Sequence, residues 1–71
     1  MIEIAADCAA TVWKVVVAQG DRVEDGDVLL ILESMKMEIP VEAEDGGVVS
    51  EVHVEVGSVV SDGDILVTLE G

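Results

Sequence analysis

Asp25-Gly26-Asp27-Val28-Leu29-Leu30-Ile31-Leu32-Glu33 returns later in the chain as Asp62-Gly63-Asp64-Ile65-Leu66-Val67-Thr68-Leu69-Glu70. The match extends outward from this stretch. Residues 4–34 slide onto 41–71 without a gap, and Val12 falls on Val49, Val15 on Val52, Val17 on Val54, Gly20 on Gly57 and Val23 on Val60. An internal repeat constrains architecture before any single residue does. Two copies are too few for a solenoid, so the expected solution is a pair of units packed face to face.

The second copy orients the first. Val28 to Leu32 is an unbroken apolar run, which periodicity alone cannot place. In its counterpart Thr68 and Glu70 mark a solvent face, so Ile65, Val67 and Leu69 face the core, and by registry so do Val28, Leu30 and Leu32. Upstream, Glu51, His53 and Glu55 alternate with Val52, Val54 and Val56, which turns Val15 and Val17 inward with them. Alternation of this kind is the mark of half-buried antiparallel strands. Gly20, Gly26, Gly57 and Gly63 punctuate both copies where a turn needs positive φ, and Val23 and Val60 lie between them as plugs for the core. Strands are expected at 2–5, 11–18, 28–33, 37–42, 48–56 and 65–70, with short extra strands at Arg22-Val23 and Val59-Val60. Residues 1–71 form one domain.

Composition agrees with an all-β chain. The 71 residues are 51% hydrophobic, with Trp13 the only aromatic. Branched side chains dominate, and these are stiff at χ1 and pack well on a pleated surface. Three basic residues against sixteen acidic ones give a net charge of −13. Nucleic acid demands a basic face, so it is excluded as a partner, as is an anionic membrane surface. Cys8 is alone and forms no intrachain disulfide. No apolar run is long enough to span a bilayer, and no basic region precedes one at the N-terminus, so a cytoplasmic location is expected.

Between the copies lies Glu33-Ser34-Met35-Lys36-Met37-Glu38. Lys36 is one of only two lysines and sits at the inter-repeat turn between two large apolar residues. Turn tips are usually Gly, Asn, Asp or Ser, so methionine there is unexpected. Met35 and Met37 share one side of an extended chain; one alone in the core would be a flexible gap-filler. Facing out, both offer a soft apolar handle to another protein.

This hexapeptide resembles the attachment motif of the biotinyl/lipoyl domain family, and the resemblance runs the length of the chain. Thr11-Val12-Trp13-Lys14-Val15, Gly20-Asp21-Arg22-Val23 and Gly26-Asp27 are similar to the family's first half, and Gly47-Val48-Val49, Val56-Gly57, Val60 and Gly63-Asp64 to its second. Methionine on both sides of the lysine is similar to the biotinyl rather than the lipoyl branch. The resemblance implies a flattened β-barrel or sandwich of two four-stranded antiparallel sheets related by a pseudo-twofold axis, with Lys36 at one end and both termini at the other. It also implies a biotin carboxyl carrier. Lys36 would be acylated by a biotin protein ligase and would serve a biotin carboxylase and a carboxyltransferase, with Met35, Met37 and Glu33 read by the ligase or those partners. Lipoate on Lys36, or an unmodified interaction scaffold, are the alternatives. The chain departs from the family at Ala6-Asp7-Cys8-Ala9-Ala10, where Ala-Pro-Met-Pro-Gly is common, and it has no thumb insertion between Gly20 and Lys36.

The remaining polar residues carry no chemistry on this reading. His53 has no Cys or His partner at ligand spacing. Asp21 to Asp27 looks faintly like a calcium loop, yet Val23 and Leu32 occupy ligand positions. No nucleophile–base pair is legible, so the chain is read as a carrier rather than an enzyme. Trp13 is expected to be partly buried and to shield a sheet edge.

Overall fold

A computed structural model describes residues 1–71 as eight strands without a helix. They are β1 (Ile2–Ala5), β2 (Ala10–Val15), β3 (Arg22–Val23), β4 (Val28–Ser34), β5 (Met37–Glu42), β6 (Gly47–Val52), β7 (Val59–Val60) and β8 (Ile65–Glu70). Two four-stranded antiparallel sheets result, ordered β1-β8-β6-β3 and β5-β4-β2-β7. Each sheet mixes the halves of the chain: the first takes β1 and β3 from the first half, the second β5 and β7 from the second. The halves are thus interlocked, and neither can bury its apolar face alone.

The pseudo-twofold relation is visible in the registers. Ile39 pairs with Leu32 as Ile2 pairs with Leu69, and Thr11 with Glu33 as Val48 with Glu70. Matched residues are matched in burial. Leu32 and Leu69 are 1% and 0% exposed and Val23 and Val60 are 3% and 2%, while Val15, Val17, Val52 and Val54 are all half-buried against the core.

Strict alternation fails at four places, and the failures are themselves symmetric. One residue drops out of register at Trp13 in β2 and at Ser50 in β6, and again at Leu29 in β4 and at Leu66 in β8. These are β-bulges, which place an extra residue opposite one partner and bend the strand. Leu29 and Leu66 are consequently 0% exposed. The expected core residues Val28 and Ile65 are only half-buried. Period-two reading misassigned these positions because a bulge shifts the phase without any compositional mark.

Three further expectations are corrected. The strands expected at 11–18 and 48–56 end at Val15 and Val52, and Val56, expected inward, is 65% exposed on a turn. Thr68, expected in solvent, is 6% exposed because the His53 ring covers it, with Nε2 2.8 Å from the Thr68 hydroxyl. Trp13 lies not on an edge strand but on β2, between β4 and β7, and is 46% exposed.

Four type II turns close the loops. In Ala18–Asp21, Glu24–Asp27, Glu55–Ser58 and Ser61–Asp64 the first carbonyl accepts from the fourth backbone N–H, and the third residue is glycine at φ 91–95°. The fourth side chain returns the bond, accepting from the first residue's N–H at 2.8–3.1 Å. Asp21 and Asp27 are therefore turn residues, which accounts for the calcium-loop look. No helix is long and apolar enough to cross a membrane.

Candidate functional site

The site is built on the β4–β5 hairpin. Ser34 pairs with Met37 at the tip, and only Met35 and Lys36 lie between them, at φ 50° and 67°. Positive φ at both central residues is the type I′ hairpin turn, whose twist suits the flanking strands. Asn-Gly is its usual sequence, because a Cβ crowds the left-handed conformation. Met-Lys is a poor choice locally. The conformation is imposed by the six cross-strand pairs from Val28–Glu42 to Ser34–Met37.

The tip projects all three side chains into solvent. Met35 is 93% and Met37 66% exposed, and Lys36 is exposed. Neither methionine fills the core. The only acid–base side-chain contact within 4 Å is Glu51 Oε2 with His53 Nδ1 at 3.1 Å, so Lys36 Nζ has no carboxylate partner. Glu33 lies below the tip, directly opposite Glu38, and both are exposed. Facing carboxylates repel across a strand pair. The surface around Lys36 is therefore apolar at the tip and anionic just behind it.

Sequence reasoning missed one support. The Ser34 hydroxyl donates to the Ala9 carbonyl at 3.3 Å, tying the loop between β1 and β2 to the hairpin. Cys8, half-buried, packs against the core from the same loop. A serine before a turn carries no signal of such a contact.

Registers place Lys36 far from both termini. Six strand steps separate the Ser34–Met37 tip from the Val28–Glu42 base, about 20 Å at ~3.3 Å per residue. At the base Ala43 exchanges backbone bonds with Gly26 and Asp27. The chain then reaches Gly47, where a Cβ would fall 2.6 Å from the Glu70 carbonyl oxygen and 3.4 Å from Gly71 Cα. Met1 precedes Ile2, which pairs with Leu69. Both ends of the chain thus sit at the base, within a body 32 Å long and 17 Å across.

The family model described as "Biotin-requiring enzyme", that of biotin/lipoyl domains, matches residues 3–69. The chain is 53% identical over 49 residues to "Biotinylated protein TB7.3 homolog" of Mycobacterium leprae (strain TN), the match spanning 69% of each protein. It is 48% identical over 48 residues to "Biotin/lipoyl attachment protein" of Bacillus subtilis (strain 168), spanning 68% of this chain and 66% of that one. Among solved structures, the Kluyveromyces lactis urea carboxylase superposes with a TM-score of 0.91 at 33% identity, covering 97% of this chain and 6% of the carboxylase. The likeness to that enzyme is thus to one small part of it.

Proposed function

Because the chain belongs to the biotin/lipoyl attachment family, we propose that Lys36 is the residue modified, that biotin is the group attached, and that the chain is a carboxyl carrier rather than a catalyst. One observation carries the reading: the single lysine on the hairpin tip has no carboxylate within 4 Å and stands between two exposed methionines. The names of the relatives support biotin, one being a biotinylated protein, and the urea carboxylase supports service to a carboxylase.

The tip suits a substrate. An amine attacks an acyl group only as the free base, so the ligase site must supply the group that takes its proton. There Lys36 Nζ attacks the acyl carbon of biotinyl-adenylate; the C–N amide bond forms, the C–O bond to phosphate breaks, AMP leaves, and the proton passes to a base of the ligase. Met35 and Met37 offer soft apolar contacts to that enzyme, and Glu33 a charge. Once attached, biotin supplies a carboxyl-accepting ureido group on a long arm. The chain's own contribution is then to hold that arm on a rigid hairpin. A tether of this kind raises local concentration to the order of millimolar when it reaches both a biotin carboxylase and a carboxyltransferase site. A cytoplasmic location belongs to the same proposal.

Lipoate on Lys36 is the second reading, favoured by the name of the Bacillus subtilis relative. Intact-mass analysis of protein from its own host separates biotin, lipoate and no modification. Co-expression with a biotin protein ligase is expected to give avidin-reactive protein, and Lys36→Arg to abolish it. Label persisting in Lys36→Arg overturns the assignment, because Lys14, in β2, is the only other lysine.

A further inference from the structure

The repeat supplies an internal control for what each outer sheet surface needs. Positions related by the pseudo-twofold share a backbone setting, shown at the point of interest by a matched bond: Val16 N–H donates to the Leu29 carbonyl at 2.9 Å, as His53 N–H does to that of Leu66. On the sheet β1-β8-β6-β3 the outer face is polar. Glu3 lies beside Thr68, the bulge residue of β6 is Ser50, and His53 covers Thr68. On the sheet that carries Lys36 the same positions are apolar except Lys14, which pairs with Ile31 where the other sheet pairs Glu51 with Thr68. Pro40 lies beside Ile31, the bulge residue is Trp13, and Val16 takes the place of His53. Edge strand β7 continues the difference, with Val59 79% exposed where β3 has Arg22. Trp13 is 46% and Val16 50% exposed. The fold tolerates polar residues at every one of these places, so the apolar ones are surplus to folding.

We infer that this outer face of β5-β4-β2-β7 is the docking surface for the enzyme that acylates Lys36, a protein presenting an apolar patch bordered by Lys or Arg; the inference rests on the proposed function above. Size is the first argument. A specific interface covers about 800 Å² per partner, more than a two-residue tip offers. An enzyme that takes up the bare, short lysine side chain must also cover what lies around it. Ile31 is three strand steps from Ser34, about 10 Å at ~3.3 Å per residue. Charge is the second. Glu33 and Glu38 border the patch on the Lys36 side and call for cations opposite. A second copy of this chain, also at −13, is repelled.

The test grafts the polar face onto the apolar one. Trp13→Ser, Val16→His and Ile31→Thr together install the residues that the other sheet already carries, and Val59→Arg alone alters an exposed edge position. Biotinylation of the whole chain by a biotin protein ligase, with biotin and ATP, is followed by avidin shift. Loss of a central tryptophan contact is expected to raise KM for the chain by about tenfold or more, with kcat within about twofold, as removal of uniform binding requires. If the triple variant does not fold, Val59→Arg carries the test, with a KM rise expected in the same direction. Unchanged KM in every folded variant overturns the docking face while leaving Lys36 as acceptor. Wild-type chain that takes no biotin overturns both readings. A wild-type dimer in sedimentation that the folded variants dissolve, with KM unchanged, makes a second copy the occupant and overturns the inference.

Discussion

Replacing Met35 by Asn and Lys36 by Gly is expected to stabilise this protein, although it removes the residues on which the proposed function depends. Both positions hold positive φ, 50° and 67°, and an L residue with a Cβ there costs about 1–2 kcal/mol. Nothing offsets that cost locally, since Met35 is 93% exposed and Lys36 has no ion pair. Glycine removes the Cβ crowding but gives back about 0.5–1 kcal/mol through the entropy of the unfolded chain; asparagine tolerates the left-handed region. The net gain is about 1–2 kcal/mol, and a domain of this size gains about 4–8 °C in Tm per kcal/mol. Thermal and urea unfolding followed by circular dichroism give both quantities, with the urea slope unchanged because the exposed area is unchanged. Met35→Asn alone keeps the lysine and is expected to recover part of the gain while slowing biotinylation. A double variant with Tm equal to or below the parent refutes the claim that the tip is strained by its own sequence.

Other changes separate recognition from packing. Met35→Ala with Met37→Ala is expected to leave Tm nearly unchanged while impairing biotinylation; a loss of the about 2–5 kcal/mol typical of a truncated core methionine makes them core residues instead. Leu29→Ala and Leu66→Ala, each at a bulge and 0% exposed, are expected to cost about 2–5 kcal/mol apiece and by similar amounts, measured by urea unfolding; a cost at only one site breaks the equivalence of the copies. A Cβ on Gly47 falls 2.6 Å from the Glu70 carbonyl oxygen, so Gly47→Ala is expected to lose about 1–3 kcal/mol to forced backbone movement, visible as a lower Tm.

Legibility in the sequence followed the physics of each signal. The second copy resolved an apolar run that one copy left ambiguous, and Leu30, Leu32, Val67 and Leu69 are in the core as that comparison required. The two-residue strands at Arg22–Val23 and Val59–Val60 were readable because a valine lay between two turn glycines in each copy. What stayed hidden was phase and cover. Bulges at Leu29 and Leu66 leave composition untouched, so Val28 and Ile65 took their place in the reading. Thr68 is polar and faces outward, and only the fold brings His53 over it. The lysine tip was legible as a position, because a hinge between two copies is fixed by counting. Its left-handed geometry was not, since Met-Lys is not a sequence that favours a type I′ turn.

Pairing of β1 with β8 shows why that unfavourable turn persists. Ile2–Leu69 repeats Ile39–Leu32, yet no turn joins β1 to β8. The same strand pairing thus forms in the other half without a covalent tip, held by its ladder and by Ile4, Leu66, Val67 and Leu69, all at most 7% exposed. The β4–β5 pair has equivalent support from Leu29, Leu30 and Leu32, each at most 1% exposed. Tip residues therefore carry none of the burden of register, which falls on the core and on the bulges. A position relieved of any role in specifying the fold accepts a few kcal/mol of left-handed strain, offset by packing elsewhere. Relieved in this way, residues 35 and 36 are open to selection for what they present to solvent, an amine beside apolar side chains on a rigid base.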